Sequence, residues 1–148
     1  MLKLVLIFLT LTLYTFAKDN IKLQKLEILK ELNSTLYSGN TQKIYNLYKK
    51  LAKLYAKNGE YYKSVEYYKL ALKLYLSIKE QTNQEKIAIY KNIAFCYKKI
   101  GNNFKTFKYT YKAVKLANKT YGKNSQITKK LDGEIKEIQS RLIASSIY

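Results

Sequence analysis

Lys49, Lys53 and Lys57 recur at every fourth position, a spacing that puts three ammonium groups on one face of a helix. The row sits in a chain of 148 residues with 28 Lys and Arg against 10 Asp and Glu, a formal net charge of +18. A field of that sign invites acidic partners: nucleic acid, an acidic lipid surface or an acidic protein. Arg141 is the only arginine, however. Bidentate readout of phosphates and base edges is arginine chemistry. A chain rich in Lys, Asn, Ile and Tyr and devoid of Pro and Trp resembles products of AT-rich genomes, and a solvated lysine surface is the plainer expectation.

Other groups with chemical potential are few. Histidine is absent, which removes the commonest general base and metal ligand. Cys96 is the single cysteine, so there is no intramolecular disulfide and no cysteine-based zinc site. Its neighbours Ile93 and Ala94 predict a small core residue. Glu27 with Glu31, and Glu134 with Glu137, are acid pairs at helical contact spacing. General acid–base work needs opposed environments that separate two pKa values. These carboxylates stand among lysines on faces expected to be wet, with Arg141 one turn beyond Glu137. There is no phosphate-binding loop, nucleophile motif or metal-ligand spacing. The sequence therefore predicts no catalytic residue, no cofactor and no metal. Asn33-Ser34-Thr35 and Asn118-Lys119-Thr120 fit the N-glycosylation pattern. Asn33, preceded by Glu31, is the stronger candidate for modification.

The elements that would position these groups begin with MLKLVLIFLTLTLYTFA, residues 1–17. A lysine, a short apolar run and Thr15-Phe16-Ala17 before the polar Lys18-Asp19-Asn20 have the layout of a signal peptide. The run falls short of the roughly 20 residues a membrane-spanning helix needs. The expectation is export to a periplasmic or secreted location, with residues 18–148 as the mature domain. An uncleaved leader anchoring the chain to the membrane is the alternative. Export argues against nucleic acid as partner, and the membrane would be touched only through that leader.

The rest reads as helices separated by polar turns. Helix one covers about residues 19–37, with Leu26, Leu29, Leu32 and Leu36 on one stripe. Helix two runs from Thr41 to Lys57, with Ile44, Tyr48, Leu51, Ala52 and Tyr55 inward. Helix three spans about Glu60 to Lys79, with Tyr62, Glu66, Lys69 and Lys73 on its wet face. Thr82 and Glu85 have capping-box spacing at the start of helix four, which stops near Lys99. Helix five covers Phe104 to Tyr121. Ser125 would cap helix six, whose stripe is Ile127, Leu131, Ile135, Ile138 and Leu142.

The segment from Leu54, LYAKNGEYYKSVEYYKLALKL, aligns without a gap on CYKKIGNNFKTFKYTYKAVKL from Cys96. Gly59 and Gly101 are 42 residues apart (101 − 59), and Tyr48, Tyr55 and Ala71 match Tyr90, Tyr97 and Ala113. Tyr48, Leu51-Ala52, Tyr55, Gly59, Tyr61, Ser64, Tyr68 and Ala71 resemble the tetratricopeptide repeat signature, and the long period resembles the repeats of kinesin light chains. In the second unit Thr106 takes the small position, and Asn103 and Thr110 replace two aromatics. Phe104, Phe107 and Tyr111 fall one or more places away.

The resemblance implies an all-α fold, a short right-handed solenoid of antiparallel helix pairs with about six helices after the leader. Repeat units would cover about residues 45–78 and 87–120, between capping helices at 19–37 and 125–147. It makes Tyr48, Tyr55, Tyr61 and Tyr68 packing residues and leaves Tyr62 free. It also implies a concave groove lined by the first helix of each pair, which takes an extended peptide or partner protein. Carried over by position, the groove residues are Asn46, Lys49, Lys53 and Lys57 on helix two, and Ala88, Lys91, Asn92, Phe95 and Lys98 on helix four. The expected partner is acidic, with Phe95 as apolar anchor. The alternative function is electrostatic binding to an anionic polymer or envelope surface, either nucleic acid or acidic lipid.

Overall fold

A computed structural model of the chain describes residues 2–78 and 82–146. The helices are α1 (Leu2–Ser38), α2 (Thr41–Lys57), α3 (Tyr61–Tyr75), α4 (Asn83–Ile100), α5 (Asn103–Tyr121) and α6 (Gln126–Ser146). No strand occurs among the described residues. Each helix packs on the one before and the one after it, so the fold is an all-α stack of helix pairs of the solenoid kind. α3 ends at Tyr75, short of the expected end near Lys79, because the chain turns at Leu76 and Ser77; Lys79 itself lies outside the described residues.

Short polar turns set the boundaries. Asn40 and Asn102 each accept the backbone N–H three residues on, from Lys43 and Lys105, at 2.9 Å. Ser125 Oγ accepts from Thr128 N at the start of α6. Thr82 accepts from Glu85 N, which supplies half of the expected capping box. The Glu85 carboxylate serves a different purpose: Lys49 of α2 donates to it at 2.6 Å. Gly59 and Gly101 sit at φ 78° and 81°, the left-handed region where side chains are strained. The Gly59 turn bonds Glu60 N to the Tyr55 carbonyl, and the Gly101 turn bonds Asn102 N to the Tyr97 carbonyl, both at 2.9 Å. The two turns are superposable copies at the sequence period.

The tyrosines repeat in the same way. Tyr67 stacks on Tyr55 at 5.2 Å and tilts against Tyr48 at 6.0 Å. Forty-two positions later (109 − 67), Tyr109 stacks on Tyr97 at 5.7 Å and tilts against Tyr90 at 6.3 Å. Lys63 and Lys105 sit over Tyr55 and Tyr97 at 5.3 and 5.2 Å. The largest core cluster fills the space between the two pairs, with Tyr45, Val65, Tyr68, Tyr75, Ile89, Ile93 and Cys96 buried. Leu32, Ile44, Leu47 and Leu51 close the α1 end, and Ile87, Ala113, Ala117 and Leu131 the α6 end. Cys96 is a buried free thiol, as expected, donating to Ser64 Oγ at 3.3 Å. Burial raises its pKa and the Ser64 contact opposes that.

Three expectations need correction. Helix one does not start near Asp19: α1 is continuous from Leu2. Lys18-Asp19-Asn20 contains neither Gly nor Pro, so nothing interrupts the backbone. Leu6, Leu13 and Phe16 are exposed along its first half, and no helix among the described residues is long and apolar enough to cross a membrane. Second, the leucine stripe of helix one is out of phase. Leu26 and Leu36 are each 50% exposed, while Leu32 and Thr35 are buried. The Thr35 hydroxyl donates to the Glu31 carbonyl at 2.7 Å, so this polar residue occupies the interface without a lost hydrogen bond. Third, Ile127 is exposed and its neighbour Thr128 is fully buried, shifting the α6 stripe by one position at its start.

The turn before α3 is fixed to α1 electrostatically. The Glu60 carboxylate accepts from Lys25 of α1, from Lys63 at 2.8 Å and from the Asn58 amide at 2.6 Å. Lys25 also lies 4.7 Å over Tyr55. The Lys25 bond, then those of Lys63 and Asn58, hold the Glu60 carboxyl down to about 2 against partial burial. A lowered folded pKa gives stability that is present above the ordinary carboxylate pKa and lost as pH falls through the folded value. Glu60→Gln is therefore expected to cost about 1 to 2 kcal/mol at pH 7, since the side chain stays 28% exposed. Wild type and variant should converge as urea midpoints are followed from pH 5 toward pH 2. A constant difference over that range would assign the effect to packing.

Candidate functional site

Helices α2, α4 and α6 together present two adjoining clefts. The smaller, of about 210 Å³, lies between α2 and α4 and is lined by Lys53, Ala56, Tyr68, Asn92, Phe95 and Cys96. The larger, of about 480 Å³, lies between α4 and α6. Lys91, Asn92, Phe95 and Lys98 line it from α4, Thr106 and Thr110 from α5, and Glu134, Glu137 and Ile138 from α6. Asn92 and Phe95 belong to both and form the ridge between them.

Phe95 is 49% exposed. The Tyr61 ring meets it in a T-shaped contact at 6.2 Å, and Lys99 lies 5.7 Å from its centroid. Those contacts hold the ring upright and leave a face open. Asn92 is half-buried, and its side-chain contact with the Tyr68 hydroxyl works against the effect of burial on that phenol. Burial, and then Cys96, push the Tyr68 phenol well above the ordinary tyrosine range. It stays neutral at any physiological pH. Thr106 and Thr110 donate to the Asn102 and Thr106 carbonyls at 2.8 and 2.9 Å, so the floor of the larger cleft presents methyl groups.

The structure therefore brings together five of the nine expected groove residues, Lys53, Lys91, Asn92, Phe95 and Lys98, while Ala88 is exposed on α4 and lines neither cleft. Among the described residues Lys53, Lys91 and Lys98 have no acidic partner within ion-pair distance. Asn46 and Lys57 are exposed on α2 but line neither cleft. Lys49 is not available as a groove cation. Its ammonium is bonded to Glu85 and lies 4.2 Å over the buried Tyr45 ring. Burial, then Glu85 and Tyr75, raise the Tyr45 phenol to about 12.

The groove is also not uniformly basic. Glu134 is half-buried and lines the larger cleft, without an ion-pair partner among the described residues. Glu137 lines it too and accepts from Arg141, as its spacing had suggested. The repeat period, extended once more, would have found both. Positions 134 and 137 follow Asn92 and Phe95 by 42 residues (134 − 92, 137 − 95), and Lys53 precedes Phe95 by the same step. Asn33 is exposed in mid-helix on α1, and the hydroxyls of Ser34 and Thr35 are turned back to the Glu31 carbonyl. No group of three or more His, Cys, Asp or Glu that could hold a metal occurs among the described residues.

No protein-family model matches the chain. No curated protein matches it. Among solved structures it is similar to BtubC (BKLC) from P. vanneervenii, with a TM-score of 0.61 and 18% sequence identity. The match covers 82% of this chain and 50% of that one, so the chain spans about half the length of its structural neighbour. At that identity the likeness is one of fold, and the class it defines is an all-α, solenoid-like stack of helix pairs.

Proposed function

We propose that the chain is an exported, non-catalytic interaction module of the tetratricopeptide kind, which binds an extended segment of a partner protein across α2, α4 and α6. The observation that carries this reading is the shared ridge: Asn92 and Phe95 line both clefts, so one extended segment can cross from α2 to α6 in contact with both. Phe95 takes an apolar side chain of the partner. Lys53, Lys91 and Lys98 take its acidic groups, and Glu134 takes a basic group or a backbone N–H at the α6 end. The partner is thus of mixed charge, with acidic character toward α2 and α4. The signal layout of residues 1–17 supports export, and the signature residues from Tyr48 to Ala71 support the family reading.

The test starts by crosslinking the tagged protein in its native cell envelope and identifying captured peptides by mass spectrometry. The recovered segment is then titrated by fluorescence anisotropy. Phe95→Ala is expected to weaken binding by roughly thirtyfold, as truncation of a central aromatic anchor does. Lys53→Glu with Lys91→Glu is expected to weaken it comparably and to flatten its salt dependence. All three positions are exposed, so melting midpoints should stay close to wild type. Affinity unchanged in both variants would remove this reading.

A further inference from the structure

The side of α5 turned away from Thr106 and Thr110 carries a second surface. Phe104 is 69% and Tyr111 52% exposed, and Phe107 stacks on Tyr111 at 6.2 Å. Lys108 and Lys115 stand on the same face, and Lys112 flanks it. The shallow cleft among them, of about 410 Å³, is lined by α5 residues alone. Between Asn103 and Tyr121 there are five lysines and no acidic residue.

Repeat architecture accounts for Phe104, whose equivalent 42 residues earlier is the exposed Tyr62, but not for Phe107 or Tyr111. The equivalent α3 positions, 42 residues earlier, carry Val65 for Phe107, Glu66 for Lys108 and Lys69 for Tyr111. Packing of the pair therefore tolerates a charge where α5 exposes a ring. An exposed aromatic ridge lined by one helix alone has no facing helix to form a peptide groove. Base stacking is poorly served as well, since Phe107 and Tyr111 cover one another, 20° from parallel. A single cylinder with rings along its crest and lysines beside them matches a plane that is apolar beneath and negative at its surface. We propose that this face of α5 docks on an anionic lipid bilayer, Phe104 and Tyr111 entering the interfacial region and Lys108 and Lys115 meeting lipid phosphates.

The chain contains no Trp, so Phe104→Trp in the full chain is a single-site fluorescent reporter. With vesicles of equimolar phosphatidylcholine and phosphatidylglycerol its emission is expected to shift to the blue and to be quenched by brominated lipid. Phosphatidylcholine alone should give neither. Phe95→Trp, on the cleft side, serves as the location control and should not respond. Lys108→Glu with Lys115→Glu in the reporter background should lower the partition coefficient by about tenfold or more. Cosedimentation with no change at position 104 would place the contact elsewhere, on the exposed apolar half of α1, and overturn the proposal. So would an equal response at position 95, indifference to the lysine reversals, or a response to a single-stranded oligonucleotide but not to vesicles.

Discussion

Tyr68→Ala is expected to destabilise the protein by about 3 to 5 kcal/mol and to lower its melting midpoint by about 10 °C or more. Tyr68 is 2% exposed and belongs to the cluster that joins the two helix pairs, together with Val65, Ala71, Ile93 and Cys96. Truncation removes a ring that α4 cannot move in to replace, because Ile93 and Cys96 are already fully buried against their own neighbours. It also leaves Asn92 without the phenol it hydrogen-bonds. Tyr68→Phe separates the two contributions: loss of the hydroxyl alone should cost about 1 kcal/mol. Urea denaturation followed by circular dichroism measures both. A cost below about 1 kcal/mol for Tyr68→Ala would mean that the two pairs do not depend on this ring.

The loss would reach the candidate site as well. Asn92 stands on the ridge between the clefts, and Tyr68 lines the smaller cleft beside it. Core and surface are one residue apart here. Tyr68→Phe, which keeps the ring, is thus the variant in which a binding defect can be read without a folding defect.

Much of the architecture was legible in the sequence because the turns are spelled out chemically. Asn40, Thr82, Asn102 and Ser125 cap as their types dictate. Gly59 and Gly101 mark turns that only a left-handed residue closes without strain. The α2 bounds, Thr41–Lys57, coincide with those expected from the sequence. What periodicity could not supply was helix phase wherever a polar residue is buried. Thr35, Thr106 and Thr110 satisfy their hydroxyls on carbonyls four residues back in their own helices, and so enter the core at little cost. A reading that seeks apolar stripes passes over Thr35, whereas Thr106 and Thr110 stand out only through the repeat alignment. Leu26 and Leu36, expected in one stripe with the buried Leu32, stand half in solvent instead.

The site was legible by position but not by charge. Lys53, Lys91, Asn92, Phe95 and Lys98 line the clefts as expected. Lys49 has the same residue type and spacing as Lys53 but is tied to Glu85, 36 residues away in sequence. Long-range pairing of that kind leaves no local trace. Glu134 and Glu137 looked like a solvated pair because their own helix surrounds them with lysines. Glu137 is indeed exposed and paired with Arg141, but tertiary packing also sets both carboxylates across a cleft from Lys91 and Lys98.

Tyr109→Ala is expected to cost about as much as Tyr67→Ala, roughly 3 kcal/mol each, although the second repeat matches the family signature less well than the first. The ring geometry is the reason. Tyr109 is held by Tyr97 and Tyr90 as Tyr67 is by Tyr55 and Tyr48, at distances that agree within half an ångström. Burial raises the pKa of both phenols, and both rings are half-buried in the same relation to their turns. Two residues further on, the aromatic at 111 has a different environment. Tyr111→Ala and Phe104→Ala should each stay within about 1 kcal/mol of wild type, since both rings stand mostly in solvent. Melting midpoints of the four variants check the assignment in one experiment. If Tyr111→Ala proves as costly as Tyr109→Ala, the helical phase of α5 is not the one described. The exposed crest on which a lipid surface would dock would then be part of the core. If the costs separate, aromatic content alone does not define the repeat. The 42-residue position does, and the remaining rings of α5 are free for contacts outside the fold.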